Sequence, residues 1–108
     1  MSTAHKIAIV GVGNVGSTLG RAFAKVGHTV IFSSRTPDKP ELLALQQEVP
    51  GSIVSSVVDG VRDADIVLIA IPWRACQDAI PPLAPLVKGK IVIDATVPFE
   101  VLPDRSLH

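Results

Sequence analysis

The 108-residue chain carries ten basic and ten acidic residues, three histidines and one cysteine, and 47% of it is hydrophobic. That length holds one domain with a packed core, and the balanced charge gives no footprint for nucleic acid or an anionic membrane surface. Cys76 has no second cysteine with which to form an internal disulfide or a paired-cysteine metal site, and Arg62, Asp63, Asp65 and Arg74 interrupt the apolar runs that would otherwise be candidates to cross a bilayer.

The expectation is therefore a soluble globular α/β domain in the reducing cytoplasm, with no nucleic-acid or membrane partner and no metal. An apolar run follows the basic residue near the start. It is too short for a secretory signal and passes straight into glycines, so it reads as a first strand.

That strand, Ile7-Ala8-Ile9-Val10, ends at Gly11-Val12-Gly13-Asn14-Val15-Gly16, and a helical pattern follows through Val15, Leu19, Ala22, Phe23 and Val26. A strand, a glycine-rich turn and a helix in immediate succession form the context in which such a loop holds a dinucleotide. Gly11 permits the tight turn, Gly13 lets the backbone approach a pyrophosphate, and Gly16 lets the helix pack close to the strand. The helix N-terminus behind them offers unpaired N–H groups and a positive dipole end.

Gly27 supplies a helix stop, and Thr29-Val30-Ile31-Phe32 is a second strand, apolar on both faces as in a covered parallel sheet. At its end an NAD-binding fold places a carboxylate for the adenosine ribose. Here the residues are Ser33-Ser34-Arg35-Thr36-Pro37. The Ser34 hydroxyl and the Arg35 fork are groups that hold an extra phosphate on that ribose, which favours NADP over NAD. Lys39 either adds to this charge or lies solvated on the next helix.

Asp38-Lys39-Pro40-Glu41 has the spacing of a capping box, and Leu42, Leu43, Leu45 and Val49 give the following helix an apolar side up to Pro50-Gly51. Ile53-Val54 is a short third strand, Val57 to Arg62 make about one helical turn, and Ile66 to Ile71 form a fourth strand. Ile71-Pro72-Trp73 falls where open α/β sheets place ligand-contacting loops; Trp73 either covers the nucleotide or seals a sheet–helix junction. A helix over residues 73–80 presents Ala75, Cys76, Ala79 and Ile80 on its less polar side, and Pro81-Pro82 end or bend it. After a turn at Lys88-Gly89-Lys90, Ile91-Val92-Ile93 is a fifth strand, with Asp94-Ala95-Thr96 past its end on the ligand side. The alternation β-α-β-α-β-(α)-β-α-β predicts a mainly parallel sheet covered on both faces. His5, His28 and His108 read as non-ligating, and no residue emerges as catalytic.

The glycine loop, Ser34-Arg35, Ile71-Pro72-Trp73 and Val92-Ile93-Asp94 together resemble the N-terminal domain of the deazaflavin-dependent NADP oxidoreductase family. The resemblance covers nearly the whole chain, although pyrroline-carboxylate-reductase-like enzymes and metalloreductase domains share the early pattern. It implies a Rossmann-like three-layer α/β/α fold in which residues 1–108 form an NADP-binding domain. It also implies hydride transfer between NADP(H) and a 5-deazaflavin coenzyme (coenzyme F420). By this resemblance Gly11, Gly13, Asn14, Val15 and Gly16 form the pyrophosphate loop, Ser34 and Arg35 contact the 2′-phosphate, and Ile71 and Pro72 lie alongside the cofactor. The sequence has Val12 where the family usually has threonine, and Thr36 where a second basic residue often follows the arginine.

Such enzymes continue into a C-terminal region that completes the substrate site, so the expected domain lacks that part and takes it from a homo-oligomer or a substrate-domain partner. The alternatives are a non-catalytic NADP-binding or redox-sensing module and an imine or carbonyl reductase domain that requires a partner.

Overall fold

The computed structural model describes residues 4–71 and 81–95. The expectations for Pro72, Trp73, Arg74, Cys76, Thr96 and His108 lie outside the described residues. In chain order the elements are β1 (Lys6–Val10), α1 (Asn14–Lys25), β2 (Thr29–Ser33), α2 (Pro40–Glu48), β3 (Ile53–Ser55), α3 (Val57–Asp63), β4 (Ile66–Ile69), a 3-10 turn (Pro81–Leu83) and β5 (Ile91–Asp94). The strands form a five-stranded sheet in the order β3-β2-β1-β4-β5, and every pairing is parallel. This is the Rossmann-like α/β fold.

β1 lies at the centre because it is apolar on both sides. Ala8 and Val10 face one core with Val61, Val67 and Leu83, while Ile7 and Ile9 face a second with Phe32, Leu45, Val49 and Leu68. The period-two alternation of a strand divides its side chains between these cores. The first core lies under α3 and the second under α1 and α2, which makes three layers. Burying each large side chain such as Phe32 contributes about 1.5–3 kcal/mol. β5 is an edge strand whose four residues are all exposed.

The second, third and fifth strands form where the sequence places them. The fourth strand is shorter, ending at Ile69, and the fifth runs one residue further, so Asp94 is its last residue and does not lie beyond it. α3 spans Val57 to Asp63, longer than the single turn expected, because the Ser56 hydroxyl caps it by accepting the Asp59 N–H.

Two helix expectations are corrected. In α1 only part of the apolar stripe is packed: Leu19 and Phe23 lie half-buried against the second core, whereas Val15 and Ala22 are exposed, and Val26, exposed too, lies beyond the last helical turn. The buried positions are Gly16 and Gly20. A Cβ on Gly20 would strike the Phe32 ring, so the helix lies against the sheet through its glycines. In α2 the capping box does not form. Lys39, not Asp38, occupies the N-cap, no side chain caps the helix, and Pro40 stands in the first turn as expected. Leu42, Leu45 and Val49 are buried, whereas Leu43 faces outward.

Two polar contacts join elements distant in the chain. Arg21 of α1 meets Glu48 of α2 through two hydrogen bonds, at 2.9 and 3.1 Å. This bond raises the arginine pKa and lowers that of the carboxyl. The Lys90 ammonium donates to the carbonyls of Val61 (2.5 Å) and Arg62 (2.8 Å), capping the C-terminus of α3 from a residue far along the chain. At the opposite end of the sheet from the glycine loop, the His5 N–H donates to Nδ1 of His28 at 3.0 Å.

Candidate functional site

The β1–α1 turn is built by glycine where no other residue fits. Gly11 has φ +95°, a left-handed value, and a Cβ there would lie 2.8 Å from the Ala70 carbonyl oxygen and also strike the Ile71 side chain. Its N–H donates to the Ser33 carbonyl at 3.2 Å, joining the turn to the end of β2. Gly16 lies under the turn: a Cβ would press on the Gly11 carbonyl oxygen and stand 3.0 Å from Ile9 Cγ2. These two glycines let α1 start directly above the carboxyl end of β1.

Gly13 differs. It is the N-cap residue of α1, and a Cβ there would meet no atom within 4 Å. The space beside it belongs to a cavity of about 320 Å³ lined by Val12, Gly13, Ser17, Ser34, Thr36, Lys39, Glu41, Leu42 and Leu45. That volume falls at the lower end of small-molecule sites. The N-terminus of α1 has neither a side-chain cap nor an acidic residue in its first turn, so its orphan N–H groups and positive dipole end remain for an anion.

Beyond the cavity from α1, the end of β2 is held in a compact turn. The Thr36 N–H donates to the Ser34 hydroxyl at 3.1 Å, and the two hydroxyls approach to 3.4 Å. The Ser34 N–H donates to the Ser55 carbonyl at 3.1 Å. One of the two hydroxyls donates to the other, so the pair keeps one proton to donate to a further acceptor.

Of the residues singled out from the sequence, Gly13, Ser34 and Lys39 line one cavity. Gly11 and Gly16 shape the turn from beneath, and Ile71 packs against the core under β4. Asn14 is the first residue of α1, and Val15 is exposed beside it. Arg35 is exposed and is not among the cavity-lining residues. Pro72 and Trp73 lie outside the described residues.

Sequence reasoning missed Ser17, Thr36, Glu41, Leu42 and Leu45 as cavity residues. The Thr36 signal was available, since two residues after Ser34 in a tight turn returns to the same side. Leu42 and Leu45 were legible as the apolar side of α2 but not as a cavity wall, which depends on where the helix lies across the sheet.

A cofactor's phosphates fit this arrangement on structural grounds. The open approach at Gly13, the uncapped helix N-terminus and a hydroxyl-lined wall near a lysine are complementary to an anion. Fold and turn together define the class, a Rossmann-type α/β domain with a glycine-rich β1–α1 loop.

Residues 6–98 match the model of the family described as NADP oxidoreductase, coenzyme F420-dependent. The chain belongs to that family, within the NAD(P)-binding oxidoreductase domains. It is 33% identical over 102 residues to the F420-dependent NADP reductase of Methanothermobacter thermautotrophicus, covering 88% of this chain and 44% of that protein.

Among solved structures, one of an F420-dependent NADP-reductase candidate from Arthrobacter sp. FB24 superposes with a TM-score of 0.82 at 26% identity, over 97% of this chain and 51% of that one. An imine reductase from Myxococcus stipitatus in complex with NADP+ superposes at 0.67 with 27% identity, over 84% of this chain and 32% of that one. The chain thus spans about half the length of the F420-dependent relatives it matches, and about a third of the imine reductase. Among the described residues, no helix is long and apolar enough to cross a membrane.

Proposed function

We propose that residues 1–108 form the NADP(H)-binding domain of an oxidoreductase that passes hydride between nicotinamide and a 5-deazaflavin coenzyme. The observation that carries this reading is the cavity that opens at Gly13 and is walled by Ser34, Thr36 and Lys39. When bound, the nicotinamide supplies the hydride, so the chain's own residues have to bind, orient and shield.

Gly11, Gly13, Asn14, Val15 and Gly16 form the pyrophosphate loop in this reading. Gly13 admits the phosphates to the backbone, and the α1 N-terminus donates to them. The Ser34–Thr36 hydroxyl pair donates a hydrogen bond to a ribose 2′-phosphate, and Lys39 provides charge at the cavity wall. Arg35, exposed and without an ion pair to any described residue, closes over the phosphate from the rim. Ile71 lies alongside the cofactor in this reading. The hydride acceptor's surface comes from a second copy of the chain or from a further domain.

The similarity to the NADP+-bound imine reductase favours a second reading, reduction of a small imine by the same bound nicotinamide.

Titration of the purified chain with NADPH and NADH at matched ionic strength, alongside Arg35→Ala, tests the cofactor. A preference for NADPH that falls at least tenfold in the variant supports the reading. Absence of binding by a folded sample overturns it. Exchange of hydride with an oxidised 5-deazaflavin, set against a cyclic imine, then separates the two acceptors.

A further inference from the structure

The cavity is not uniformly suited to a phosphate. Glu41 lines it beside Lys39 and forms no ion pair or side-chain hydrogen bond with any described residue. Its place is fixed by its neighbours. Leu42 and Leu45 are 4% and 6% exposed and form the cavity's apolar wall, so α2 cannot rotate to carry Glu41 away without uncovering them. Glu41 stands exposed in the first turn of α2, just after Pro40. A carboxylate therefore shares one cavity with Lys39, Ser34 and Thr36.

We propose that Glu41 is a specificity-determining residue of this cavity. Its carboxylate repels a ribose 2′-phosphate and accepts hydrogen bonds from an unphosphorylated ribose, so the domain binds the dinucleotide in both forms with a narrowed preference for the phosphorylated one. The inference rests on the cofactor reading above and adds to it the source of a reduced discrimination. Lys39 and Arg35 supply attraction, and Glu41 cancels part of it. At an open, water-filled rim, repulsion between a carboxylate and a phosphate dianion within about a Debye length of each other corresponds to about a three- to tenfold loss of affinity.

The test is the ratio of NADPH to NADH dissociation constants, measured by titration for the wild type, Glu41→Gln and Glu41→Asp, each checked for an unchanged melting temperature. Glu41→Gln is expected to tighten NADPH binding about three- to tenfold and leave NADH unchanged or weaker. Glu41→Asp is expected to retain the wild-type ratio. The gain in Glu41→Gln is expected to shrink when salt rises from 50 to 500 mM, because only an electrostatic cause is screened. If the wild type binds NADPH but Glu41→Gln leaves the ratio unmoved, the role of Glu41 is overturned and the cofactor reading stands. If the folded wild type binds neither nucleotide, both fall.

Discussion

Gly13 and Gly16 stand three residues apart in one loop, yet an added methyl group has opposite consequences at the two positions. At Gly16 the new Cβ presses on the Gly11 carbonyl oxygen and sits 3.0 Å from Ile9 Cγ2, and a backbone atom cannot rotate aside as a side chain does. Overpacking of this kind costs about 1–3 kcal/mol, offset by up to about 1 kcal/mol from the higher helix propensity of alanine. Gly16→Ala is therefore expected to lose about 1–2 kcal/mol, or about 4–16 °C in melting temperature for a domain of this size.

At Gly13 the Cβ meets nothing within 4 Å. The cost is limited to a poorer N-cap, about 0.5 kcal/mol, or up to about 4 °C. The methyl group instead occupies the cavity where a phosphate approaches, so Gly13→Ala is expected to fold normally and to lose NADPH affinity at least tenfold. Thermal melts and nucleotide titration of both variants form the assay. Wild-type binding by Gly13→Ala would refute the cavity as the phosphate site. A wild-type melt of Gly16→Ala would refute the close approach of α1 to the turn.

Gly60→Ala drives a Cβ into the buried Ser33 hydroxyl and to 2.8 Å from Ser55 Oγ. A loss of about 1–3 kcal/mol is expected, partly recovered by adding Ser33→Ala, and denaturant titration of the double-mutant cycle measures the coupling. Lys90→Met removes the ammonium that caps α3 through Val61 and Arg62; the expected cost is about 1–2 kcal/mol, with faster amide hydrogen exchange in α3 as the local readout. The Arg21 hydrogen bond lowers the Glu48 pKa, so its contribution is present above the usual carboxylate range and is lost as pH falls through the folded-state value. Glu48→Gln is accordingly expected to differ from wild type in denaturation midpoint at neutral pH and to converge with it once the pH is below the folded-state value. The effect is small because both partners are solvent-screened.

The parts legible in the sequence were those governed by neighbours along the chain. Apolar runs gave β1, β2 and β4, and Gly11-Val12-Gly13 together with Gly16 marked the turn between β1 and α1. The left-handed Gly27 likewise matched its place at the helix stop. What escaped depends on distance through space. Helical periodicity found Leu19 and Phe23, which pack against the core, but also selected the exposed Val15, Ala22 and Val26 because it registers hydrophobicity, and it passed over Gly16 and Gly20, where closeness to the sheet decides. Asp38 had capping-box spacing, yet the chain enters α2 one residue later. The cavity partners Glu41, Leu42 and Leu45 required knowing how α2 crosses the sheet, and the bond from Lys90 to α3 spans 29 residues.

The central position of β1 has a consequence for how the chain acquires its shape. One flank of β1 is completed early, by β2, after a single helix. The other waits for β4, and the bond from the Lys6 N–H to Asp65 joins residues 59 apart. During synthesis the first half, with β1, β2 and β3 assembled, presents the bare edge of its most apolar strand until β4 emerges. Folding is then limited by closing that long loop, and the interval is when the nascent chain is most open to pairing with a wrong strand. A chain arrested before β4 is thus expected to aggregate, whereas one extending through β4 has both flanks of β1 paired.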